Sequence, residues 1–264
     1  MNLREKYGEW GIILGATEGV GKAFAEKIAS EGMSVVLVGR REEMLQELGK
    51  NISETYGVDH MVIRADFAQS DCTDKIFEAT KDLDMGFMSY VACFHTFGKL
   101  QDTPWEKHEQ MINVNVMTFL KCFYHYMGIF AKQDRGAVIN VSSLTAISSS
   151  PYNAQYGAGK SYIKKLTEAV AAECESTNVD VEVITLGTTI TPSLLSNLPG
   201  GPAGEAVMKA AMTPEACVEE AFDNLGKSLS VIAGDHNKAN VHNWQANKTD
   251  DEYIRYMGSF YSNN

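Results

Sequence analysis

Residues 10–21 read WGIILGATEGVG, a short apolar run followed at once by a turn that contains three glycines. The run has the length and composition of a buried β-strand, and a helical pattern continues over residues 20–30. Gly15, Gly19 and Gly21 permit a tight turn, a close approach of the backbone to a phosphate, and close packing of helix on strand. The start of the helix adds N–H donors and the positive end of its dipole. The stretch therefore predicts a cradle for the diphosphate of a dinucleotide.

Apolar segments alternate with helical patterns along the rest of the chain. Strands are predicted near residues 11–14, 34–39, 60–65, 87–93, 137–142, 180–186 and 229–233. Such alternation is typical of a parallel sheet covered by helices on both faces. We therefore predict a Rossmann-type, doubly wound α/β fold with a seven-stranded, mainly parallel sheet. Residues 1–264 are expected to form this single dinucleotide-binding domain.

The composition limits the partners of the chain. Its 264 residues include 34 acidic and 23 basic side chains, which gives a formal net charge of -11. Nucleic acids and anionic membrane surfaces require clustered cations, so this balance argues against both partners. No apolar window reaches the length of a membrane span, and the N-terminus lacks the apolar stretch of a signal peptide. The expected location is therefore the cytoplasm.

The cysteine pattern points in the same direction. The five cysteines stand at positions 72, 93, 122, 174 and 217, with no C-x-x-C pair and no spacing typical of metal ligands. Scattered free thiols are typical of a reduced intracellular protein. We therefore expect no metal site.

The end of the second predicted strand indicates which dinucleotide binds. A chain that selects NAD typically has an acidic residue there, which accepts a hydrogen bond from the ribose 2′-hydroxyl. This chain has Arg40 and Arg41 instead. Two guanidinium groups suit a 2′-phosphate, because arginine presents a fixed fork of charged donors. The sequence therefore predicts NADP(H) as the cofactor.

A second motif lies in the middle of the chain. Ser143 ends the predicted strand VINVSS, and thirteen residues later Tyr156 opens the pattern Tyr-x-x-x-Lys, which closes at Lys160. Residues four apart share a helix face, so the Lys160 ammonium is expected beside the Tyr156 phenol, where its charge favours the ionised form. The Ser143 hydroxyl is expected to hold a carbonyl or alcohol oxygen within reach of that phenol. The pairing favours carbonyl/alcohol interconversion.

These residues resemble the classical short-chain dehydrogenases/reductases, because the glycine turn, Asp66, Asn115, Ser143, Tyr156 and Lys160 follow that family's pattern in order. The resemblance covers nearly the whole chain and implies a catalytic tetrad. Tyr156 would be the general acid in reduction and the base in oxidation, while Ser143 positions the substrate oxygen. Lys160 would lower the Tyr156 pKa and hold the nicotinamide ribose, and Asn115 would support a water-linked proton path. The hydride itself belongs to the cofactor.

The resemblance also implies which residues bind the cofactor. Asp66 and Phe67 would flank the adenine, and Gly187 and Thr191 fit the nicotinamide side. The chain departs from the family at residues 92–95, where Ala-Cys-Phe-His replaces the usual Asn-Asn-Ala-Gly. The expected cofactor-binding residues are Gly15, Thr17, Glu18, Gly19, Val20, Gly21, Arg40, Arg41, Asp66, Phe67, Ala92, Tyr156, Lys160, Gly187, Thr189 and Thr191.

Residues 188–212 carry Leu, Val and Met among prolines and glycines, which suits an apolar lid over a large hydrophobic substrate. An ordinary core-facing helix uses the same residues, and both interpretations stay open. Within the family, residues 1–10, 87–98 and 251–261 are similar to members that act on steroids, which implies a bile acid or another hydrophobic steroid. The expected substrate contacts are Ser143, Tyr156, His95, Leu194, Leu198 and Met208. For His95, a packed histidine with a satisfied hydrogen bond is the alternative.

The C-terminal tail, residues 235–264, is rich in aromatic side chains. Trp244, Tyr253, Tyr256, Phe260 and Tyr261 would expose much apolar surface if the tail were solvated. We expect them to pack beside the pocket or on a neighbouring subunit. The expected assembly is a homodimer or a homotetramer.

Other functions are open to a chain of this pattern. Residues 15–22 approach a P-loop, but the spacing is one residue too long and Ala23 stands where a magnesium-binding Ser or Thr is required. A reductase for another hydrophobic carbonyl compound is one alternative, and a non-catalytic NADP-sensing protein is another. The intact set of Ser143, Tyr156 and Lys160 favours catalysis.

Overall fold

Seven strands form one sheet in the computed structural model, which describes residues 2–198 and 200–259. The strand order is β3-β2-β1-β4-β5-β6-β7, and every neighbouring pair is parallel. The strands are β1 (Trp10–Leu14), β2 (Ser34–Gly39), β3 (His60–Arg64), β4 (Met85–Tyr90), β5 (Gly136–Ser143), β6 (Val179–Leu186) and β7 (Ser230–Ile232). The predicted seven-stranded sheet is confirmed, with strand ends shifted by a few residues.

Helices cover both faces of this sheet. They are α1 (Leu3–Tyr7), α2 (Gly19–Ser30), α3 (Glu42–Tyr56), α4 (Cys72–Thr80), α5 (Trp105–Ile112), α6 (Phe119–Gln133), α7 (Ala154–Glu173), α8 (Pro192–Ser196), α9 (Gly201–Ala210), α10 (Pro214–Asn224), α11 (Asp235–Asn247) and α12 (Asp250–Ser259). One apolar core lies between the sheet and α2, α3 and α10, and the other lies between the sheet and α4, α6 and α7.

The central strand β1 shows why its sequence is apolar throughout. Ile12 and Ile13 are both fully buried, and they point to opposite faces, so that each belongs to a different core. Leu14 pairs with Val38 of β2 on one side and with Tyr90 of β4 on the other. A strand buried on both faces and paired on both edges requires an unbroken apolar run.

The strand order reverses beside β1. The chain runs outward from β1 to β2 and β3, and it then returns to place β4 on the other side of β1. In open parallel sheets, ligands bind in the crevice that such a reversal leaves at the carboxyl ends of the strands. The fold therefore places the glycine turn after β1 and the segment after β4 on the two sides of one crevice.

The region proposed as a lid, residues 188–212, contains α8 and α9. Its two ends are joined by an isolated parallel bridge between Thr189 and Met212. The Ile190 N–H donates to the Met212 carbonyl at 2.8 Å, and the Met212 N–H donates to the Thr188 carbonyl at 3.0 Å. The segment is therefore a loop that is closed at its base and extends from the end of β6.

The tail forms α11 and α12, which pack on each other through aromatic rings. Trp244 stacks on Tyr253 with ring centroids 4.2 Å apart, and Tyr253 contacts Tyr256 at 6.0 Å. A Cβ on Gly258 would lie 3.2 Å from Cγ of Pro151, so α12 lies against the loop that follows β5. Phe260 and Tyr261, which belong to the same prediction, lie outside the described residues.

The described part of the chain was also searched for spans and metal clusters. Within residues 2–198 and 200–259, no helix is both long enough and apolar enough to cross a bilayer. The same residues contain no group of three or more His, Cys, Asp or Glu side chains arranged to hold a metal ion.

An acidic side chain lies buried in the second-last strand. Glu182 of β6 is fully buried, and neither of its carboxyl oxygens has a hydrogen-bond partner among the described residues. Burial, and then the nearby charge of Glu220 on α10, raise the pKa of the Glu182 carboxyl to about 8. In an unfolded chain a glutamate titrates near pKa ~4.3. Glu182 is therefore protonated in the folded protein at neutral pH.

This raised pKa predicts a loss of stability with rising pH. Between pH ~4.3 and about 8 the unfolded chain releases a proton that the folded protein retains, so the free energy of unfolding falls. Glu182→Gln removes the ionisation, and we expect it to raise the free energy of unfolding by roughly 1–3 kcal/mol near pH 9 and by much less near pH 5. Urea denaturation at the two pH values measures the difference. Glu175→Gln, at an exposed position, is the control and should show none; equal effects of Glu182→Gln at both pH values would contradict the buried ionisation.

Candidate active site

A cleft of about 610 Å³ opens at the carboxyl ends of the strands, at the reversal beside β1. It runs from the end of β2, past the glycine turn, to the ends of β4, β5 and β6. The sequence-predicted residues that line it are Gly15, Thr17, Glu18, Gly19, Val20, Arg40, Arg41, Asp66, Phe67, Ala92, His95, Ser143, Tyr156, Lys160, Gly187, Thr189 and Thr191. The structure thus brings the two sequence motifs together in one site.

The glycine turn is shaped by close contacts. Gly15 has φ of +102°, and a Cβ there would lie 2.6 Å from the backbone nitrogen of Ala92. Gly19 has φ of +56°, and its Cβ would lie 2.9 Å from Cγ2 of Thr191. Only glycine accommodates this backbone and this proximity. The start of α2 at Gly19 then offers its N–H groups to a phosphate, so the turn fits the diphosphate of a dinucleotide.

Gly21 has a different place from the one expected. A Cβ there would lie 1.9 Å from the carbonyl oxygen of Gly15, so Gly21 allows α2 to pack beneath the turn. It does not line the cleft. Its position explains the close packing of helix on strand, and its expected contact with the cofactor stays a prediction.

The arginine pair lies at the far end of the cleft, after β2. Arg41 forms an ion pair with Glu18 of the glycine turn at 2.8 Å, whereas Arg40 forms none within the described part of the chain. A Cβ on Gly39 would lie 2.7 Å from Oγ1 of Thr17, so the last position of β2 has little room for an acidic side chain. This end of the cleft is therefore built to receive a negative group, such as a 2′-phosphate.

The predicted catalytic residues meet where β5 packs against α7. The Ser143 hydroxyl accepts from the Thr145 N–H at 3.3 Å, and it lines the cleft together with the Tyr156 phenol. Lys160 is only 2 % exposed, and its ammonium donates to the carbonyl of Val141 at 2.9 Å. The ammonium lies 5.8 Å from the centroid of the Tyr156 ring. The hydroxyl, the phenol and the cation thus occupy one corner of the cleft.

Burial dominates the electrostatics of this corner. Burial, and then a negative charge on the neighbouring Cys93 thiol, raise the pKa of the Tyr156 phenol, and the nearby Ser143 hydroxyl only partly opposes them. Burial also lowers the pKa of Lys160. The expected lowering of the phenol pKa by the Lys160 charge stays a prediction, because the net shift reflects the desolvation of the phenol.

Asn115 lies outside the cleft and is hydrogen-bonded to the backbone of the segment after β4. It lies in a π-helical turn, residues 113–118, between α5 and α6, and it is 1 % exposed. Its amide donates to the Phe94 carbonyl at 2.7 Å and accepts from the Phe94 N–H at 2.9 Å. A Cβ on Gly159 would lie 3.1 Å from Cβ of Asn115, so the side chain also lies against α7. Asn115 does not line the cleft, and its place in a proton path stays a prediction.

The segment after β4 brings the side chains of Cys93, Phe94 and His95 into the cleft. The His95 ring meets the Tyr156 ring in a T-shaped contact, with centroids 5.5 Å apart. Desolvation in the cleft raises the pKa of the Cys93 thiol, but the neighbouring His95 and the charge of Lys160 outweigh it, so the net pKa is lowered. Where the family usually has Asn, Ala and Gly, residues 93–95 thus place a thiol, a phenyl ring and an imidazole ring in the cleft.

The other side chains predicted to contact the substrate do not line the cleft. Leu194 and Leu198 on the lid, and Met208 on α9, are half-buried, but the structure does not bring them to the cleft wall. Sequence reasoning missed Gln110, Ser142 and Ser193, which do line it. Ser142 adjoins Ser143 at the end of β5, which was a usable signal, whereas Gln110 enters from α5 with no sequence pattern to mark it.

Comparison with known proteins gives a family and full-length relatives. A sequence model described as short chain dehydrogenase matches residues 9–198. The chain is 75 % identical over 261 residues to a 7β-hydroxysteroid dehydrogenase of Mediterraneibacter gnavus, and the match covers 99 % of each protein. It is 76 % identical, again over 99 % of each protein, to a 7β-hydroxysteroid dehydrogenase of Collinsella aerofaciens.

A solved structure agrees with these relatives. It concerns the stereoselectivity of 7β-hydroxysteroid dehydrogenase, and it is 75 % identical to this chain with a TM-score of 0.95. The alignment covers 97 % of this chain and 99 % of the other. The chain therefore matches this protein in both sequence and fold over almost its whole length.

Proposed function

We propose that this chain, which belongs to the short-chain dehydrogenase family, interconverts the 7-keto and 7β-hydroxyl groups of bile acids with NADP(H). The observation that carries the proposal is the identity of about three-quarters, over the full length, to two 7β-hydroxysteroid dehydrogenases. The corner formed by Ser143, Tyr156 and Lys160 supplies the chemistry that such a reaction requires.

The residues of that corner have separate tasks in reduction. Ser143 donates a hydrogen bond to the substrate carbonyl and holds it against Tyr156. The Tyr156 phenol gives its proton to the oxygen as the carbonyl becomes an alcohol. A phenol has a pKa of about 10, so Tyr156 is protonated at neutral pH, which is the form that reduction requires. NADPH, when bound, supplies the hydride to the carbon.

Lys160 serves this corner by its position. Its ammonium is anchored on the Val141 carbonyl, and it lines the cleft with its remaining hydrogens. Three N–H donors are available on the group, so an anchored Lys160 still has donors for the hydroxyls of a ribose. The same positive charge stabilises the phenolate that Tyr156 forms after it releases its proton.

The preference for NADP(H) rests on the end of β2. Arg40 and Arg41 line the cleft there, beside the glycine turn. Glu18 neutralises Arg41 but not Arg40, so the pair retains net positive charge for a 2′-phosphate. The limited room at Gly39 disfavours the acidic side chain that would select NAD.

The first test is turnover of a defined substrate. Purified protein with NADPH and 7-ketolithocholic acid should consume NADPH, followed at 340 nm, and chromatography should identify the 7β-alcohol. Tyr156→Phe removes only the hydroxyl that transfers the proton, so we expect kcat to fall by about 10²–10⁴-fold while NADPH still binds. Tyr152→Phe, in the preceding loop, is the matched control and should retain turnover. Absence of NADPH consumption by the wild-type protein, or full activity of Tyr156→Phe, would refute the proposed function.

The second test concerns the cofactor. Replacing Arg40 and Arg41 with alanine removes the charged donors for the 2′-phosphate, and we expect the NADPH dissociation constant to rise roughly 10–100-fold. The dissociation constant of NADH should change by less than about threefold, because NADH has no phosphate there. Quenching of protein fluorescence by each cofactor measures both constants. Equal weakening of the two cofactors would show that the arginines do not select NADP(H).

We also infer that the chain assembles with copies of itself. Three large apolar side chains are exposed near one another in sequence and fold: Met117 in the turn before α6, Tyr124 on α6, which is 81 % exposed, and Tyr162 on α7. Phe119 joins the two helices through a T-shaped contact with Tyr162. Exposed apolar groups of this kind commonly mark protein interfaces. Light scattering should report a dimer or tetramer that Tyr124→Glu weakens, and a wild-type monomer would contradict the inference.

A cytoplasmic location is the setting that suits this activity. The five cysteines are all free thiols, which suits a reducing compartment. Fractionation of cells with an antibody to the chain tests the location, and recovery outside the cytoplasm would contradict it.

A further inference from the structure

Two segments of different character flank the reacting corner. Ser143 ends β5, which lies between β4 and β6 in the sheet. On the β4 side stands the segment of residues 93–98, which we name the β4 wall. On the β6 side, Gly187 and Thr189 begin the segment that continues into the lid. A substrate whose carbonyl reaches Ser143 therefore meets one flank on each side.

The β4 wall is fixed by backbone hydrogen bonds. Asn115 satisfies both the N–H and the carbonyl of Phe94, at 2.9 and 2.7 Å. At the other end, the N–H of Gly98 donates to the carbonyl of Tyr152 at 2.9 Å, in the loop before α7. The Lys107 ammonium of α5 lies over the Phe94 ring, 5.3 Å from its centroid. The wall is therefore tied to the elements that carry the catalytic residues.

His95 is the wall residue that meets the reacting corner. It lines the cleft, and its ring contacts Tyr156 at 5.5 Å between centroids. On its other side the ring makes a T-shaped contact with Phe97 at 5.4 Å. The two ring contacts place the imidazole at one flank of the phenol.

The β6 flank begins with smaller side chains. Gly187 packs against Asn237, where a Cβ would lie 2.6 Å from its amide, and the Thr189 hydroxyl donates to the Gly187 carbonyl at 3.3 Å. The bridge between Thr189 and Met212 closes the base of the segment that follows. Helices α8 and α9 of that segment are five and ten residues long and contain a single buried residue, Gly204. The two flanks therefore differ in the bulk of the side chains beside the reacting corner.

The stereochemistry of reduction depends on which flank receives which end of the substrate. The carbonyl oxygen must point at Ser143 and Tyr156, and the hydride must reach the carbon from the cofactor side of the cleft. A rotation of 180° about the C=O axis preserves both requirements, but it exposes the opposite face of the ketone to the hydride. The same rotation exchanges the two ends of the ring system between the flanks. A bulky side chain on only one flank therefore determines which face of the ketone meets the hydride.

We propose that His95 is a specificity-determining residue, whose ring excludes the ketone orientation that leads to the 7α-alcohol. The inference rests on the proposed function, since it assigns a residue to the outcome of that reaction. The ring acts by occupying volume on the β4 flank, and proton transfer stays with Tyr156. A single steric contact of this kind discriminates between orientations by about 10–200-fold.

The experiment is a product analysis of His95 variants with NADPH and 7-ketolithocholic acid. With His95→Ala, we expect the 7α-alcohol to rise from below about 1 % of product to roughly 10 % or more. His95→Phe keeps a ring of similar size without a titratable group, so its product should stay 7β. Thr96→Ala is the control, since Thr96 belongs to the wall without lining the cleft, and it should also give only 7β. Chromatography of the two C7 epimers provides the ratio.

The outcomes separate the two proposals. Turnover of the ketone to the 7β-alcohol alone by His95→Ala would overturn the role of His95 and leave the proposed function intact. If the wild-type protein does not reduce the ketone at all, the proposed function fails instead. If His95→Ala does not fold, as judged by its melting temperature and NADPH binding, His95→Ser and His95→Asn provide the same reduction in volume. A 7α fraction that does not increase as the side chain shrinks from Phe to Asn to Ser would equally overturn the inference.

Discussion

The buried ammonium of Lys160 is the interaction on which the site depends. It is 2 % exposed, and it donates to a neutral carbonyl, that of Val141, at 2.9 Å. Within the described residues no carboxylate forms an ion pair with it, so its charge is not cancelled locally. A cation buried without a carboxylate partner is costly, and here burial lowers the pKa of Lys160. Its field is therefore available to the groups around it, including the Cys93 thiol, the Tyr156 phenol and the hydroxyls of a bound ribose.

That charge also explains the contrast between two neighbours in the cleft. The thiol of Cys93 has a lowered pKa, since His95 and Lys160 together stabilise the thiolate. The phenol of Tyr156 has a raised pKa, because it is buried and faces that same thiolate. A negative charge on either group opposes a negative charge on the other. Cys93 stands where the family usually has an asparagine, so a thiol replaces an amide beside the phenol.

The fold was predictable from sequence because its determinants are local. The glycine turn has backbone angles and contacts that few residues permit, and the buried strands require apolar runs that sequence displays directly. The Tyr156 pKa was not predictable, because it depends on desolvation by distant parts of the chain. The same is true of Gln110, which reaches the cleft only because α5 packs beside it, and of Leu194 and Met208, whose apolar character does not reveal which side of the lid they occupy.

The ion pair between Arg41 and Glu18 bears on the choice between NADP(H) and NAD(H), because any cofactor must compete with Glu18 for the Arg41 donors. The Glu18 carboxylate stands 2.8 Å from the Arg41 guanidinium. A 2′-phosphate carries more negative charge than a carboxylate and offers three acceptor oxygens, so it competes well for the same donors. A 2′-hydroxyl carries no charge and competes poorly. We therefore expect Glu18 to compete for Arg41 more effectively against NAD(H) than against NADP(H). Arg40, which has no ion-pair partner among the described residues, is expected to add to the attraction of the phosphate.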